Sequence, residues 1–526
     1  MFKCLVAWLI LLSYSCECSR ILAVIPTPSY SHQIAFRKIW AELSKRGHQV
    51  TVLTSNPIRD QTLTNLTEID ISYSKDELWV KYDGDHQLQA VENGVLNILE
   101  LFYDFIYDVS KSVLSSDYFQ NLIHNKEEKF DVVLVESFFP EFYVLGKIFN
   151  CPVIGVSSMD APTDYHMFMG NPSHPISHPD LVLPFYRNLN IIERIISTMF
   201  NNLIPTYKYF KVELEKQKLL DKYVDFKTNI LDLKKSLDLL FVCSHPLLQG
   251  VRPLGAATIS IGGTTNIEKP KPLPKEIQVF MEKSTQGVIY FSLGTNVKSK
   301  ALGEETINKL LLTFKNIPYD ILWKFEANIT SLPKNVMLLN WAPQQDILRH
   351  PKTKLFITQG GLQSLQESIF FEIPMMVFPF FGDQMHNAKM IEHKKIGKYF
   401  KHKSFHPLEF ESAIFQLIKD PKYKSNVLKL KQLILDEPMS GVEKAVWWTE
   451  YVIRHKGAKH LANPITELPL YQYYQLDVYS ILGALCILIV VMIQKSAKIV
   501  FHFCVKLFGR FIIKKEAKTA KNKKLR

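Results

Sequence analysis

The run Ile21-Leu-Ala-Val-Ile25 is apolar at every position, which a strand tolerates only when both of its faces are buried. A loop from Pro26 to His32 follows. Ile34, Ala35, Ile39, Trp40 and Leu43 then fall at helical spacing, Gly47 stops the helix, and Val50 to Thr54 returns as a strand. This is a βαβ unit, and it commits the chain to parallel α/β architecture. Phe130 to Val135 and Pro152 to Val156 extend the same sheet, whereas residues 57–125 and 160–235 look helical and loop-rich.

The Gly- and Pro-bearing stretch Gly262 to Pro274 reads as an interdomain linker, after which the pattern restarts. Strands are expected at Gly287–Ser292, Ile321–Lys324, Val336–Leu339, Leu355–Thr358 and Met375–Phe378. Two doubly wound α/β domains would face each other across a cleft where strand C-termini meet. The expected division is 20–262, a linker at 263–274, 275–440, and closing helices at 441–470 that pack back on the body. No repeat with a solenoid period interrupts it.

Both ends carry targeting patterns. Lys3, the apolar core Leu5–Leu12 and the small residues to Ser19 describe a secretory signal over 1–19, with an uncleaved anchor or a first buried strand as the alternatives. Val478 to Ile493 runs sixteen residues without a charge. With Leu476 and Gln494 it approaches the roughly 20 residues that cross a bilayer. A buried core helix is the other reading. The segment 498–513 is apolar with interspersed Lys and Arg and is expected along a membrane surface.

The formal net charge of +12 is misleading as a nucleic-acid signal. Ten of those charges lie in the tail 495–526, so the preceding 494 residues stand at +2. A basic tail after an apolar run is a topology signal with the positive end in the cytoplasm. Lys523 and Lys524 match a dilysine retrieval signal. The expected location is therefore the endoplasmic reticulum membrane, single-pass, with the body in the lumen and membrane lipid as a partner. Asn65 and Asn328 begin glycosylation sequons. Cys151 and Cys243 are the two cysteines left to the folded body; free thiols or one disulfide fit, and no metal site does.

The segment from Trp341 to Gln384 carries the chemistry. A strand ending at Thr358 enters Gln359-Gly360-Gly361 and then a helix. Backbone N–H groups there, with the Ser364 hydroxyl, suit a diphosphate. Trp341, just past a strand end, can stack on a planar base. Glu367 is one turn into the helix, placed for a ribose diol, and Asp383-Gln384 offers acceptors and donors to a sugar.

These residues, ungapped over 44 positions, resemble the signature of the UDP-glycosyltransferase family, inverting enzymes of the two-Rossmann GT-B type. The likeness extends to Phe291-Ser-Leu-Gly-Thr295 and to Val446–His455. It implies that Trp341 and Gln344 hold uracil, Glu367 the ribose, Ser292 and Ser364 the phosphates, and Asp383-Gln384 the sugar, with Thr295, Gln359, Gly360 and Gly361 also in the UDP-sugar site. Many members carry His where this chain has Gln359, which can donate a neutral hydrogen bond but cannot become cationic; insect-type members have Gln.

Inversion needs a base to take the acceptor's proton. His32 lies in the loop after the first strand, and Glu136 ends a later strand at the same sheet edge. A carboxylate on the other ring nitrogen would fix the tautomer and stabilise the imidazolium. The resemblance supports the pair Ser31-His32 as the base site and implies Asp, one methylene shorter, where Glu136 stands. The UDP-sugar is a co-substrate, and neither cofactor nor metal is expected; Asp83-Gly-Asp85 has the spelling of a metal motif but sits in a polar loop.

The expected function is transfer of a sugar, glucose rather than glucuronic acid, to a hydroxyl of a small lipophilic acceptor. A biosynthetic transferase for one lipid or steroid is the nearer alternative, and a binding protein without turnover the further one. Oligomeric state is open, and nucleic acid is not an expected partner.

Overall fold

The computed structural model describes residues 18–72, 78, 81–82, 94–327, 329 and 331–523. The signal-like segment through residue 17, the Asp83-Gly-Asp85 triplet, Asn328 and Lys524 lie outside the described residues. Pro464–Arg526 forms a compact unit separate from the preceding chain.

The first sheet contains β1 (Arg20–Ile25), β2 (Gln49–Thr54), β3 (Leu66–Asp70), β4 (Val132–Glu136), β5 (Val153–Ser157), β6 (Leu239–Val242) and β7 (Thr258–Ser260). All neighbours are parallel, in the order β3-β2-β1-β4-β5-β6-β7. The second contains β8 (Val288–Ser292), β9 (Asp320–Lys324), β10 (Val336–Leu339), β11 (Thr353–Thr358), β12 (Met375–Val377) and β13 (Gly397–Tyr399), in the order β10-β9-β8-β11-β12-β13. Each sheet reverses its winding between its first and fourth strands. That reversal is the place where doubly wound sheets leave a crevice for ligands.

The second sheet is filled on both faces by alternation along its strands. Ile289, Phe291, Trp323 and Ile357 pack on one side, and Val288, Tyr290, Leu322 and Phe356 on the other. This is why these strands read as unbroken apolar runs.

Helix α1 (Tyr30–Lys45) follows β1 and buries Ile34, Ala35, Ile39, Trp40 and Leu43. His32 therefore sits in its first turn rather than in the preceding loop. Helix α2 (Val95–Leu114) and helix α3 (Ile191–Lys208) come from the helical stretches of the first half. The strands β3, β6, β7 and β13 add to those expected from sequence.

In the second half, α4 (Leu362–Phe370) follows β11, and α5 (Gln384–His393) follows β12. Helix α6 (Gly441–Arg454), opened by a Ser440/Glu443 capping box, crosses back to the first sheet. Its Ala445, Val446 and Val452 join the core built on β1 and β4. An added Cβ at Gly441 would overlap the Ile261 carbonyl oxygen, so the helix can dock this closely only with glycine there.

The Pro464–Arg526 unit holds α7 (Leu476–Lys523), one continuous helix through both the expected span at 476–494 and the basic segment beyond it. Leu, Ala, Met and Lys favour helix, and no proline interrupts the run. Among the described residues this is the one helix apolar and long enough to cross a membrane. Cys151 and Cys243 are free thiols. Burial pushes the Cys243 thiol up to about 12.

Candidate active site

A cavity of about 530 Å³ opens between the two sheets and is lined from both. His32, Phe138, Trp341, Ser364, Glu367 and Asp383 all reach it. The reason is topological, because each follows the C-terminal end of a strand: His32, Phe138, Ser364 and Glu367 at the winding reversals, Asp383 after β12 and Trp341 after the edge strand β10.

On the first sheet, β1 and β4 are neighbours with Val24 opposite Val135. The loop after β1 and the end of β4 therefore meet. Glu136 is fully buried, and its Oε1 lies 3.4 Å from His32 Nδ1. Its Oε2 accepts a hydrogen bond from the Thr27 backbone N–H at 3.2 Å. Oε1 has no hydrogen-bond partner among the described residues. The closer neighbour of Nδ1 is the Ser158 hydroxyl, at 2.7 Å. Ser158 follows the end of β5, the strand beside β4.

On the second sheet, Ser292 and Thr358 are register partners at the ends of β8 and β11. The Ser292 hydroxyl accepts from the Gly294 N–H at 3.3 Å. Thr295 follows, its hydroxyl 3.5 Å from Asn296 Oδ1. Gln359 lies buried over Gly294, and Gly360 and Gly361 lead into α4. The Gln344 amide donates to Ser364 Oγ at 3.1 Å and to Glu367 Oε2 at 2.6 Å. Gln345 and Asn266 donate to the other oxygen of Glu367, at 2.8 and 3.3 Å. Burial raises the Glu367 carboxyl to about 7 in spite of these amide donors, because no cation is among them.

Trp341 is 58% exposed, so it is not a core residue. Its edge meets Tyr30 of the first domain at 5.7 Å between ring centroids. Asp383 stands at the N-terminal end of α5, bonded to Asn387 at 2.8 Å, and burial raises its carboxyl. The Gln384 side-chain oxygen accepts from the Phe380 and Phe381 N–H groups, at 2.8 and 3.2 Å, and so shapes the loop that presents Asp383.

Side-chain hydrogen bonds also join the halves across the cleft, among them two near the site. Gln363 on α4 donates to the Ser158 carbonyl at 2.8 Å, and the Ser29 hydroxyl donates to Asn296 Oδ1 at 2.9 Å.

The cavity continues into the first domain between α2 and α3, past Ile98, Phe102, Phe105 and Phe200. Its far wall is charged but paired: Arg252 with Asp160 at 3.1 Å and Lys208 with Asp164 at 2.8 Å. The stretch between α2 and α3 is an apolar chamber.

His32 and the sequence-expected donor residues line this cavity, apart from Gly360, and the buried Glu136 stands against His32 without lining it. Asn65 is exposed, just before β3, and Lys523 ends α7. Sequence reading missed Ser158, Asn266, Gln345 and Tyr30. Gln345 adjoins Gln344, and Ser158 ends a strand at the same edge as Glu136; those were the available signals. Asn266 sits in the linker with none. Among the described residues no group of three or more His, Cys, Asp or Glu could hold a metal ion.

The sequence model of the family described as "UDP-glucoronosyl and UDP-glucosyl transferase" matches residues 20–511. The "UDP-glycosyltransferase UGT4" of Dactylopius coccus is 33% identical over 492 residues, covering 89% of this chain and 93% of its own. The human "UDP-glucuronosyltransferase 2B15" is 29% identical over 525 residues, covering 97% and 96%. Among solved structures, the glycotransferase of kitacinnamycin superposes with a TM-score of 0.56 at 18% identity, covering 82% of this chain and 99% of its own, which is a likeness of fold.

Proposed function

The chain belongs to the UDP-glucuronosyl and UDP-glucosyl transferase family, and from that premise we propose that it transfers glucose from UDP-glucose to a hydroxyl of a small lipophilic acceptor, with inversion. The observation that carries the reading is the convergence of His32, with Glu136 buried against it, and the Ser364/Glu367/Asp383 side of the cleft around one cavity. His32 Nε2 takes the proton of the acceptor hydroxyl as its oxygen attacks the anomeric carbon. The bond to the β-phosphate oxygen breaks and UDP leaves with the electron pair. Glu136 balances the imidazolium that forms.

The remaining roles follow the cleft outward. Trp341 and Gln344 take the uracil, Glu367 the ribose, and Asp383 with Gln384 the sugar. Ser292, Thr295, Gln359, Ser364 and the N–H groups at the start of α4 face the diphosphate, and no metal takes part. The apolar chamber between α2 and α3 receives the acceptor. In this reading α7 anchors the chain in the endoplasmic reticulum membrane with the body in the lumen. Its basic end and Lys523-Lys524 support that orientation.

Glucose rests on the uncharged Gln359; the name of the Dactylopius coccus relative specifies no sugar, and that of the human relative says glucuronic acid instead. UDP release from microsomes expressing the chain, with UDP-glucose or UDP-glucuronic acid over a panel of phenols and steroids, decides between them. Release that is lost in His32→Ala supports the enzyme, its base and its donor together. The 3.4 Å separation of His32 from Glu136 favours a second reading, a binding protein without turnover. UDP-sugar binding with no release on any acceptor would support that one.

A further inference from the structure

Two acceptors compete for one imidazole nitrogen. His32 Nδ1 lies 2.7 Å from the Ser158 hydroxyl and 3.4 Å from Glu136 Oε1. The first is a hydrogen bond and the second an ion-pair distance. For Nε2 to act as a base, Nδ1 must carry the proton in the neutral ring and donate it to a fixed acceptor. Ser158, fully buried, is that acceptor, while the partnerless Glu136 Oε1 supplies charge without direct contact.

Ser158 is also anchored from the other side of the cleft. Its carbonyl accepts from Gln363 at 2.8 Å, and Gln363 lies one residue before Ser364 on the helix that faces the donor diphosphate. The Gln363 carbonyl in turn accepts from Asn266, which also bonds Glu367. A continuous set of contacts thus runs from Glu367, through Asn266, Gln363 and Ser158, to the ring of His32.

Resting on the reading of His32 as base, we propose that Ser158 is the positioning residue that holds His32 Nδ1 and that Gln363 ties this hold to the donor-binding helix. Domain closure on the UDP-sugar and orientation of the base then become one event. Glu136 is left to stabilise the imidazolium electrostatically.

The test is steady-state kinetics of the full chain with Ser158→Ala, Ser158→Thr and Gln363→Leu, beside His32→Ala. The charged groups near the ring are Glu136 from β4 and Asp383 from the start of α5. Without the Ser158 hydroxyl the ring is free to close on Glu136, and a direct charge-assisted bond raises the basicity of the imidazole. Ser158→Ala is expected to lower kcat about 10- to 100-fold, a fraction of what a general base supplies. It should leave the UDP-sugar Kd unchanged and move the acid limb of kcat/KM about one pH unit upward. Ser158→Thr, which keeps the hydroxyl, should restore most of kcat.

In Gln363→Leu a smaller loss of kcat is expected, and none beyond Ser158→Ala when the two are combined. Unchanged kcat in Ser158→Ala would overturn the proposal, and so would a loss with an unmoved acid limb, which a packing defect gives. Additive losses in the double variant would overturn the tie to Gln363. If His32→Ala itself turned over normally, the base assignment would fall first. A dead His32→Ala beside a normal Ser158→Ala removes the inference alone.

Discussion

Gly294 and Gln359 are in contact that only a missing side chain permits: a Cβ on Gly294 would overlap the Gln359 amide nitrogen. The turn after β8 and the turn after β11 are thereby pressed together at the switch point of the second sheet, with Gly294 at φ +75°. Gly294→Ala is expected to cost about 1–2 kcal/mol from the left-handed backbone alone. It should also displace Gln359 and weaken UDP-sugar binding. Calorimetric titration with UDP would show the loss, and adding Gln359→Ala should lower the affinity little further, since the displaced side chain has already left the diphosphate, while the backbone cost stays in the melting curve.

Glu367 gives a pH dependence whose sign can be worked out. Its carboxyl is raised from 4.5 to about 7 in the folded chain, so between those values the folded state holds a proton that the unfolded state has lost. Stability from this group is full below pH 4.5 and is lost as pH rises toward 7, a change on the order of 3 kcal/mol. Glu367→Gln removes that penalty. Denaturant melts should find the variant stabilised relative to the parent at pH 8 and much less so at pH 5, while UDP affinity falls.

Burial pushes the Asp164 carboxyl up, but Lys208 and Lys234 outweigh it and hold the group well below the usual carboxylate range. Asp164→Asn leaves the two buried ammonium groups to share the single carboxylate of Glu213, and breaking such a network costs about 3–5 kcal/mol. Because Lys208 and Asp164 line the acceptor chamber, KM for the acceptor should rise while KM for the UDP-sugar holds. The two KM values, measured separately, check this.

The α6 docking depends on a single hydrogen atom. Gly441→Ala drives a methyl into the Ile261 carbonyl, and overpacking of this kind costs about 1–3 kcal/mol. Thermal melts should show the loss. Ser440→Ala, which removes the capping box of the same helix, should cost about 1 kcal/mol and leave the docking intact.

The donor half of the site was legible because its chemistry is local in sequence: Trp341 to Gln384 supplies a stacking ring, an anion turn and two carboxylates in one stretch. The Ser158–His32 bond spans 126 residues and the Asn266–Glu367 bond 101, and no spacing rule reaches that far. Among the strands, the apolar runs of β1, β4 and β8 announced themselves because both faces are buried. β3, Leu66–Asp70, is a half-buried edge with alternating polar residues, and β13 is three residues carrying a lysine. Both are held by pairing to a neighbour rather than by their own composition. The charges that begin after 494 mark the end of the apolar run but do not end a helix, and α7 continues through the segment 498–513.

The return of α6 to the first sheet means that the backbone passes between the halves twice, once in the 262–274 stretch and once just before Gly441. A body joined at one point can swing freely, whereas one joined at two adjacent points turns about the line through them, like a door. Any relative motion of the two halves is then confined to rotation about that line, which fixes the register in which Trp341 meets Tyr30.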